Sequence, residues 1–247
     1  MEKKPILEIN KTYWDESADQ WFGTTCLPEY GVRCVTENET HLFGDVTGMK
    51  MLEIGCGSGH SLKYHSDRDA GELWGLDFSQ SQLANAKRFL TEHKCFPNLI
   101  CASMEEECGL PNNYFDIVYS IYAIGWAMDL EAVFKRIASY LKAGGSFIFS
   151  WEHPLHSCIN IKDGQFSWNK SYFNEEWRKK IVNGKQMILA GRKISTYINA
   201  LSKAGFHVEQ MIEETNQNTM VMNENLDDKS RKAQMIPLSF IIKAVKL

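Results

Sequence analysis

The chain has 247 residues, 44 % of them hydrophobic and 23 % charged, with a formal net charge of −4. That length and composition suit one α/β domain with embellishments around a real core. No stripe of Lys and Arg suggests a phosphate-gripping surface, and no run of about 18 apolar residues suggests a membrane span, so neither nucleic acid nor membrane is expected as a partner.

Residues 9–22 predict a helix, with Tyr13, Ala18, Trp21 and Phe22 near helical spacing and Asp15, Glu16 and Asp19 between them. A loop-like stretch follows from Gly23 to about Gly48. From Lys50 strands and helices alternate. Met51–Ile54 is a short apolar run ending at glycine, as a buried parallel strand does. A helix is expected from near Ser58 through Leu62. Leu73–Asp77 is the second strand, and Ser79 suits the N-cap of the helix that buries Leu83, Ala86 and Leu90. Asn98–Cys101 and Phe115–Ser120 are the third and fourth strands. Leu130, Val133, Phe134, Ile137, Tyr140 and Leu141 form one helical stripe, which Gly144 and Gly145 terminate. Ser146–Trp151 is the fifth strand.

Residues 153–190 carry aromatics and turn formers without a clear period and read as an insertion. Ile194–Ala204 returns to helix, and strand His207–Ile212 follows. A polar segment, Glu213–Gln234, precedes a final strand around Pro237–Val245. Repeated β-α units with short links imply a parallel sheet covered on both faces. The last two strands suit an antiparallel pair at its edge. The seven cysteines (Cys26, Cys34, Cys56, Cys95, Cys101, Cys108, Cys158) follow no zinc-type or Cys-x-x-Cys spacing. An odd, unpatterned set fits free thiols in a reducing cytoplasm, and no signal peptide is read at the amino terminus.

Gly55, Gly57 and Gly59 alternate between the first strand and its helix. Glycine there permits a tight turn and close approach of backbone to a ligand, although packing alone also uses such turns. Three features accompany the triplet: Glu53 just before it, a second strand at the proper distance, and Asp77 at that strand's tip. A carboxylate so placed accepts hydrogen bonds from both hydroxyls of a ribose. Nicotinamide enzymes use G-x-G-x-x-G and a helix N-terminus to hold pyrophosphate. Here the spacing is E-x-G-x-G-x-G, which points to a nucleoside without phosphate.

With LEIGCGSG, GLDFSQSQL, ASMEEECGLPNNYFDIVYS and LKAGGSFIFS in this order, residues 50–151 resemble the class I S-adenosylmethionine-dependent methyltransferases. The resemblance implies a doubly wound α/β fold with a mostly parallel seven-stranded sheet. It would form a single domain: an N-terminal helical cap (1–48), a cofactor core (49–151), a lid-like insertion after strand five (152–190) and the C-terminal part of the sheet (191–247). It implies S-adenosylmethionine as methyl donor, S-adenosylhomocysteine as product and no metal. The loop from Gly55 to Gly59, with Glu53 before it and Cys56 within it, would wrap the methionyl part. Asp77 would hold the ribose, Phe78 and Gln82 would lie against the adenine, and Ser103 and Met104 would meet its edge and face. Ser120 would sit near the methionyl amino group, and Tyr13 and Trp21 would cover the cofactor. Similar enzymes often carry an acidic residue at the place of Ser103 and His at the place of Gly125.

Methyl transfer from a sulfonium is an in-line displacement that needs alignment and exclusion of water, with a base only for a protonated acceptor. In an open parallel sheet the site lies beyond the carboxyl ends of the strands. Tyr122 and Trp126, after strand four, and His153, after strand five, are therefore the candidates to bind the acceptor, with His153 the candidate base. His153 and His156 lack a third metal ligand. The expected reaction is methyl transfer to a small molecule. A nucleic-acid or protein methyltransferase and a non-catalytic S-adenosylmethionine binder are the alternatives. The oligomeric state is not legible.

Overall fold

The computed structural model describes residues 3–224 and 226–247. Two helices, α1 (Lys3–Ser17) and the single-turn α2 (Glu37–Thr40), precede the sheet. The alternating part runs β1 (Lys50–Ile54), α3 (His60–Ser66), β2 (Glu72–Asp77), α4 (Gln80–Glu92), β3 (Asn98–Cys101), β4 (Phe115–Ile121), α5 (Leu130–Tyr140) and β5 (Leu141–Glu152). Next come α6 (Pro154–Cys158), β6 (Ile159–Lys162), β7 (Gln165–Trp168), β8 (Trp177–Val182) and β9 (Lys185–Ala190). The chain closes with α7 (Ile194–Lys203), β10 (Phe206–Ile212), α8 (Gln217–Met220), α9 (Asp228–Ala233) and β11 (Ser239–Lys246).

Seven strands form one sheet in the order β10-β11-β5-β4-β1-β2-β3. The five strands from β5 to β3 are parallel, while β11 runs antiparallel to both β5 and β10, as expected for the last pair. This is the doubly wound architecture expected from the alternating pattern. Because β1 and β4 are central, their side chains are buried on both faces. On one face Leu52, Phe147 and Phe149 pack with Phe134 of α5 and Tyr197 of α7. On the other, Met51, Tyr119 and Ile148 pack with Leu62 of α3, Leu90 of α4 and the chain between Leu27 and Val46.

Local chemistry sets the helix boundaries. Ser79 Oγ accepts from Gln82 N at 3.2 Å and starts α4, and Asp129 Oδ1 accepts from Ala132 N at 3.1 Å and starts α5. The α5 stripe stops at Tyr140. Leu141 is extended and pairs with Phe115, so β5 begins there, five residues before the expected Ser146, with an irregular stretch at the two glycines. The first helix spans Lys3–Ser17, earlier than the expected 9–22, and the chain beyond Ser17 turns back on itself. α3 begins at His60, after Gly59, two residues beyond Ser58. The loop-like stretch before β1 contains α2, organised by Glu37, which is 1 % exposed and accepts from Tyr30 Oη and from the backbone N of Leu42 and Phe43. The polar stretch after β10 holds α8 and α9.

The insertion is two antiparallel hairpins, β6–β7 and β8–β9. Each is closed by a two-residue turn with both central residues at positive φ, Asp163-Gly164 and Asn183-Gly184. The second hairpin packs on α1: Asn10 Nδ2 donates to Ile188 O and Ile188 N donates to Asn10 Oδ1, each at 2.8 Å. Among the described residues no helix is long and apolar enough to cross a membrane.

Candidate functional site

β1, β2 and β4 end side by side, and a cleft opens beyond their carboxyl ends. The glycine loop forms its floor, but the three glycines do different work. A Cβ at Gly59 would sit 2.7 Å from Leu90 Cδ1, so Gly59 serves the packing of the loop against α4. A Cβ at Gly57 would meet nothing nearer than Gln82 Oε1 at 3.8 Å, which leaves its backbone facing open space.

Asp77 closes the loop. Its Oδ2 accepts from Gly57 N and its Oδ1 from Ser79 N, both at 2.9 Å. Burial pushes its carboxyl up to about 6, opposed by those N–H groups and reinforced by nearby Asp15. Glu53 is 2 % exposed, and burial holds its carboxyl well above the usual range, with the Asp77 charge adding to the effect. Tyr119 Oη donates to Glu53 Oε2 at 3.5 Å. Gln82 Oε1 is buried without a hydrogen-bond partner among the described residues. Phe78, Ser103 and Met104 complete this side of the cleft.

The opposite side is aromatic. Trp14 lies 5.8 Å from Trp21 and 5.3 Å from Trp126 between ring centroids, and Trp126 lies 6.2 Å from Trp151, which in turn is 5.3 Å from Tyr122. Trp14, Trp21, Trp126 and Tyr122 line the cleft. α1 is held over it by Asp15, whose Oδ1 accepts from Ser79 Oγ at 2.7 Å and Ser81 N at 3.2 Å, and by Asn85 Nδ2, which donates to Asp19 Oδ1 at 2.9 Å.

Among the described residues the lining contains Glu53, Asp77 and Glu105 but neither Lys nor Arg. A nucleoside carrying positive charge fits the two buried acids and the unpartnered Gln82 oxygen. The family model of the methyltransferase domain matches residues 52–149, the span that builds this side of the cleft. A Haemophilus influenzae protein without an assigned function is 29 % identical over 184 residues, covering 70 % of this chain and 72 % of that one. A Bradyrhizobium diazoefficiens ubiquinone biosynthesis O-methyltransferase is 27 % identical over 153 residues, covering 57 % of this chain and 59 % of the enzyme. A candidate S-adenosylmethionine-dependent methyltransferase from Listeria monocytogenes superposes with a TM-score of 0.72 at 25 % identity, covering 85 % of this chain and 96 % of that structure. Residues 52–149 form a methyltransferase domain, and the chain has the fold of the S-adenosylmethionine-dependent methyltransferases.

As a methyltransferase, the protein transfers a methyl group from S-adenosylmethionine. Of the residues singled out in the sequence, Glu53, Gly55, Cys56, Gly57 and Asp77 line the cleft, as do Phe78, Gln82, Ser103 and Met104. Trp21, Tyr122 and Trp126 line it from the other side. Four residues do not reach it. Gly59 turns to Leu90. Ser120 is fully buried and its Oγ donates to Ile54 O at 2.9 Å, tying β4 to β1. Tyr13 is 2 % exposed and stands behind the aromatic wall, stacked on Trp126 at 6.3 Å and accepting from Trp21 Nε1 at 3.2 Å.

His153 is the fourth. It is the N-cap of α6, and its Nδ1 accepts from Leu155 N at 3.2 Å. Its Nε2, which then carries the proton, donates to Glu213 Oε1 at 2.7 Å. Burial lowers its affinity for a second proton, with Glu213 acting in the other direction. Both ring nitrogens are engaged, and the ring stands away from the cleft lining. At Gly125, where similar methyltransferases often carry His, a Cβ would fall 1.8 Å from the Trp151 ring. The indole fills the space a side chain would need.

Thr24, Thr25 and Cys26 also line the cleft, as do Trp14, Ser58, His60 and Ser61. The loop holding the first three is fastened by Ser58 and Ser61, whose hydroxyls accept from Gly23 N and Leu27 N at 3.1 Å each. Burial pushes the Cys26 thiol up to about 11. His60 stacks on Phe89 at 3.9 Å, and burial lowers its affinity for a proton. Among the described residues no cluster of His, Cys, Asp and Glu is suited to a metal ion.

Proposed function

We propose that this methyltransferase acts on a small-molecule acceptor held between the glycine loop and the aromatic wall. The observation that carries the reading is one cleft with two unlike sides: buried acids and open backbone at the strand ends, and a wall of Trp14, Trp21, Trp126 and Tyr122 under α1. S-adenosylmethionine supplies a methyl group already activated by a positive sulfur. Asp77 accepts from the ribose hydroxyls, and Gln82 Oε1 takes a donor from the ligand. Gly57 brings its backbone against the methionyl part, which Cys56 and Glu53 border. Ser103, Met104 and Phe78 bound the adenine. Trp21 and Trp14 cover the reacting end and exclude water, with indole faces suited to a cation. The ubiquinone-pathway relative, whose name specifies an O-methyl product, supports an acceptor of small-molecule size.

Residues 1–48, 152–190 and 191–247 embellish the single catalytic unit of 49–151, with α1 and the β8–β9 hairpin as its cover. The cleft side chains that could serve as a base are engaged: the His60 ring stacks on Phe89 with its Nδ1 3.0 Å from Ser58 Oγ, and Asp77 accepts from Gly57 N and Ser79 N. Tyr122 Oη is tied to Ser239 Oγ at 3.0 Å, and the Cys26 thiol holds its proton. The residues of this chain align the acceptor and keep the site dry, and the acceptor attacks through a nucleophile it already has. Incubation with methyl-labelled S-adenosylmethionine and a fractionated cell extract tests this. Label should enter the low-molecular-weight fraction, and incorporation confined to RNA or protein would overturn the small-molecule assignment.

A further inference from the structure

The β8–β9 register sorts the hairpin's side chains onto two faces. Arg178 stands opposite Leu189, Lys180 opposite Met187 and Val182 opposite Lys185, so Arg178 and Lys180 share a face with Met187 and Leu189. Those two residues pack with Tyr13, Trp14, Trp126 and Trp151. This is the underside of the cover, and it looks toward the aromatic wall. Lys180 Nζ lies 4.0 Å from Glu152 Oε2, on the residue that follows Trp151 in β5. Lys170 lies within electrostatic reach of Arg178, Lys180 and Glu152. From α9, Lys232 is 5 % exposed, and its Nζ donates to His156 O and Ile159 O.

Lys170, Lys180 and Lys232 therefore share one carboxylate, Glu152, and Arg178 lies within reach of Lys170, a local excess of positive charge in a chain of net charge −4. Among the described residues neither Arg178 nor Lys170 has an ion-pair partner. Arg178 Nε is buried with no hydrogen-bond partner, and so is the neighbouring His156 Nδ1. Like charges that have lost part of their water and face one another are costly until an anion meets them. The cleft lining, by contrast, has acids and, among the described residues, no Lys or Arg.

We propose that Lys170, Arg178, Lys180 and Lys232 form an anion subsite under the hairpin that holds a phosphate-type group of the methyl acceptor. The assignment rests on the methyl-transfer reading above and adds the class of acceptor. The guanidinium offers paired N–H donors that match phosphate oxygens, and the lysines add point charge. Opposite polarity at the cleft and at the cluster orients such an acceptor one way only, with its nucleophile toward the cleft and its anion toward the hairpin.

The test begins with the protein saturated with S-adenosylhomocysteine and titrated with sodium pyrophosphate at constant ionic strength, read by tryptophan fluorescence. Saturable binding is expected, weakened about tenfold or more in Arg178→Gln and Lys180→Gln and unchanged in Lys179→Gln, a substitution of an exposed residue on the other face of the same strand. A non-saturating response overturns the subsite, and so does equal weakening by all three substitutions. Retained S-adenosylhomocysteine binding shows that each variant folds, whereas its absence in the unmodified protein strikes the methyl-transfer reading instead. A second arm separates an acceptor's phosphate from free phosphate. Labelled methyl transfer into a low-molecular-weight extract should largely disappear after alkaline phosphatase treatment of that extract. Undiminished incorporation overturns the acceptor assignment even where pyrophosphate binds.

Discussion

At the scale of single residues, Asp77 connects burial to binding. Its raised carboxyl lies above the 3.8 of an ordinary Asp, at about 6, so the protonated form is favoured by the fold. In the ligand-free protein that contribution to stability is full below about pH 4 and is lost as pH rises through about 6. Ribose hydroxyls need the ionised form, so binding moves in the opposite sense. Affinity for S-adenosylhomocysteine should hold at neutral pH and fall as pH drops through about 6, approaching tenfold per pH unit. Asp77→Asn should flatten that profile and weaken binding about ten- to a hundredfold, the loss of a charge-assisted hydrogen bond. Calorimetry across pH 5–8 reads both. The glycines divide in the same way. Gly59→Ala collides with Leu90 and should lower stability by about 1–3 kcal/mol while the folded fraction still binds. Gly57→Ala is strained by its positive φ but meets no close neighbour, and should cost less stability but more affinity, a contrast that thermal melts with and without S-adenosylhomocysteine will separate.

The elements follow from the sequence unequally. Strands β1, β2 and β4 and helices α4 and α5 announce themselves because each buries a regular pattern and starts or stops on a local signal, such as Ser79 or Asp129. The insertion had local signals too: Asp163-Gly164 and Asn183-Gly184 are hairpin turns written in two residues. They are hard to read because the flanking strands do not alternate. β7 is exposed along its whole length, and Met187, Ile188 and Leu189 of β9 are buried in succession, since α1 and the core cover both sides. Asn10 joins those two covering elements. Asn10→Ala leaves Ile188 N and O buried without partners, which should cost about 1–3 kcal/mol. If α1 and the hairpin cover the ligand, the same change should speed release of S-adenosylhomocysteine in a stopped-flow chase, and an unchanged release rate would separate the cover from the site.

For the whole molecule, the part of the site built by one stretch of chain was legible, whereas of the distant stretches Trp21, Tyr122 and Trp126 were read and Thr24, Thr25 and Cys26 were not. Glu53, the glycine loop, Asp77 and Gln82 lie within thirty positions and are positioned by two strands and the helices after them. Thr24, Thr25 and Cys26 reach the cleft only because Ser58 and Ser61 fasten their loop, a pairing across more than thirty residues that no local pattern signals. His153 illustrates the converse. It follows strand five as a site residue would, yet capping α6 and donating to Glu213 use both nitrogens. What the assembled fold adds is the charge of the cleft: buried acids, an unpartnered amide oxygen and, among the described residues, no Lys or Arg. That polarity favours a sulfonium nucleoside over a phosphate-bearing dinucleotide, and it is open to one direct measurement. Calorimetric titration of the protein with S-adenosylmethionine, S-adenosylhomocysteine and NAD should give saturable one-to-one heats for the first two and none for the third. Saturable heat for NAD, or none for S-adenosylhomocysteine, would contradict the assignment of the cleft.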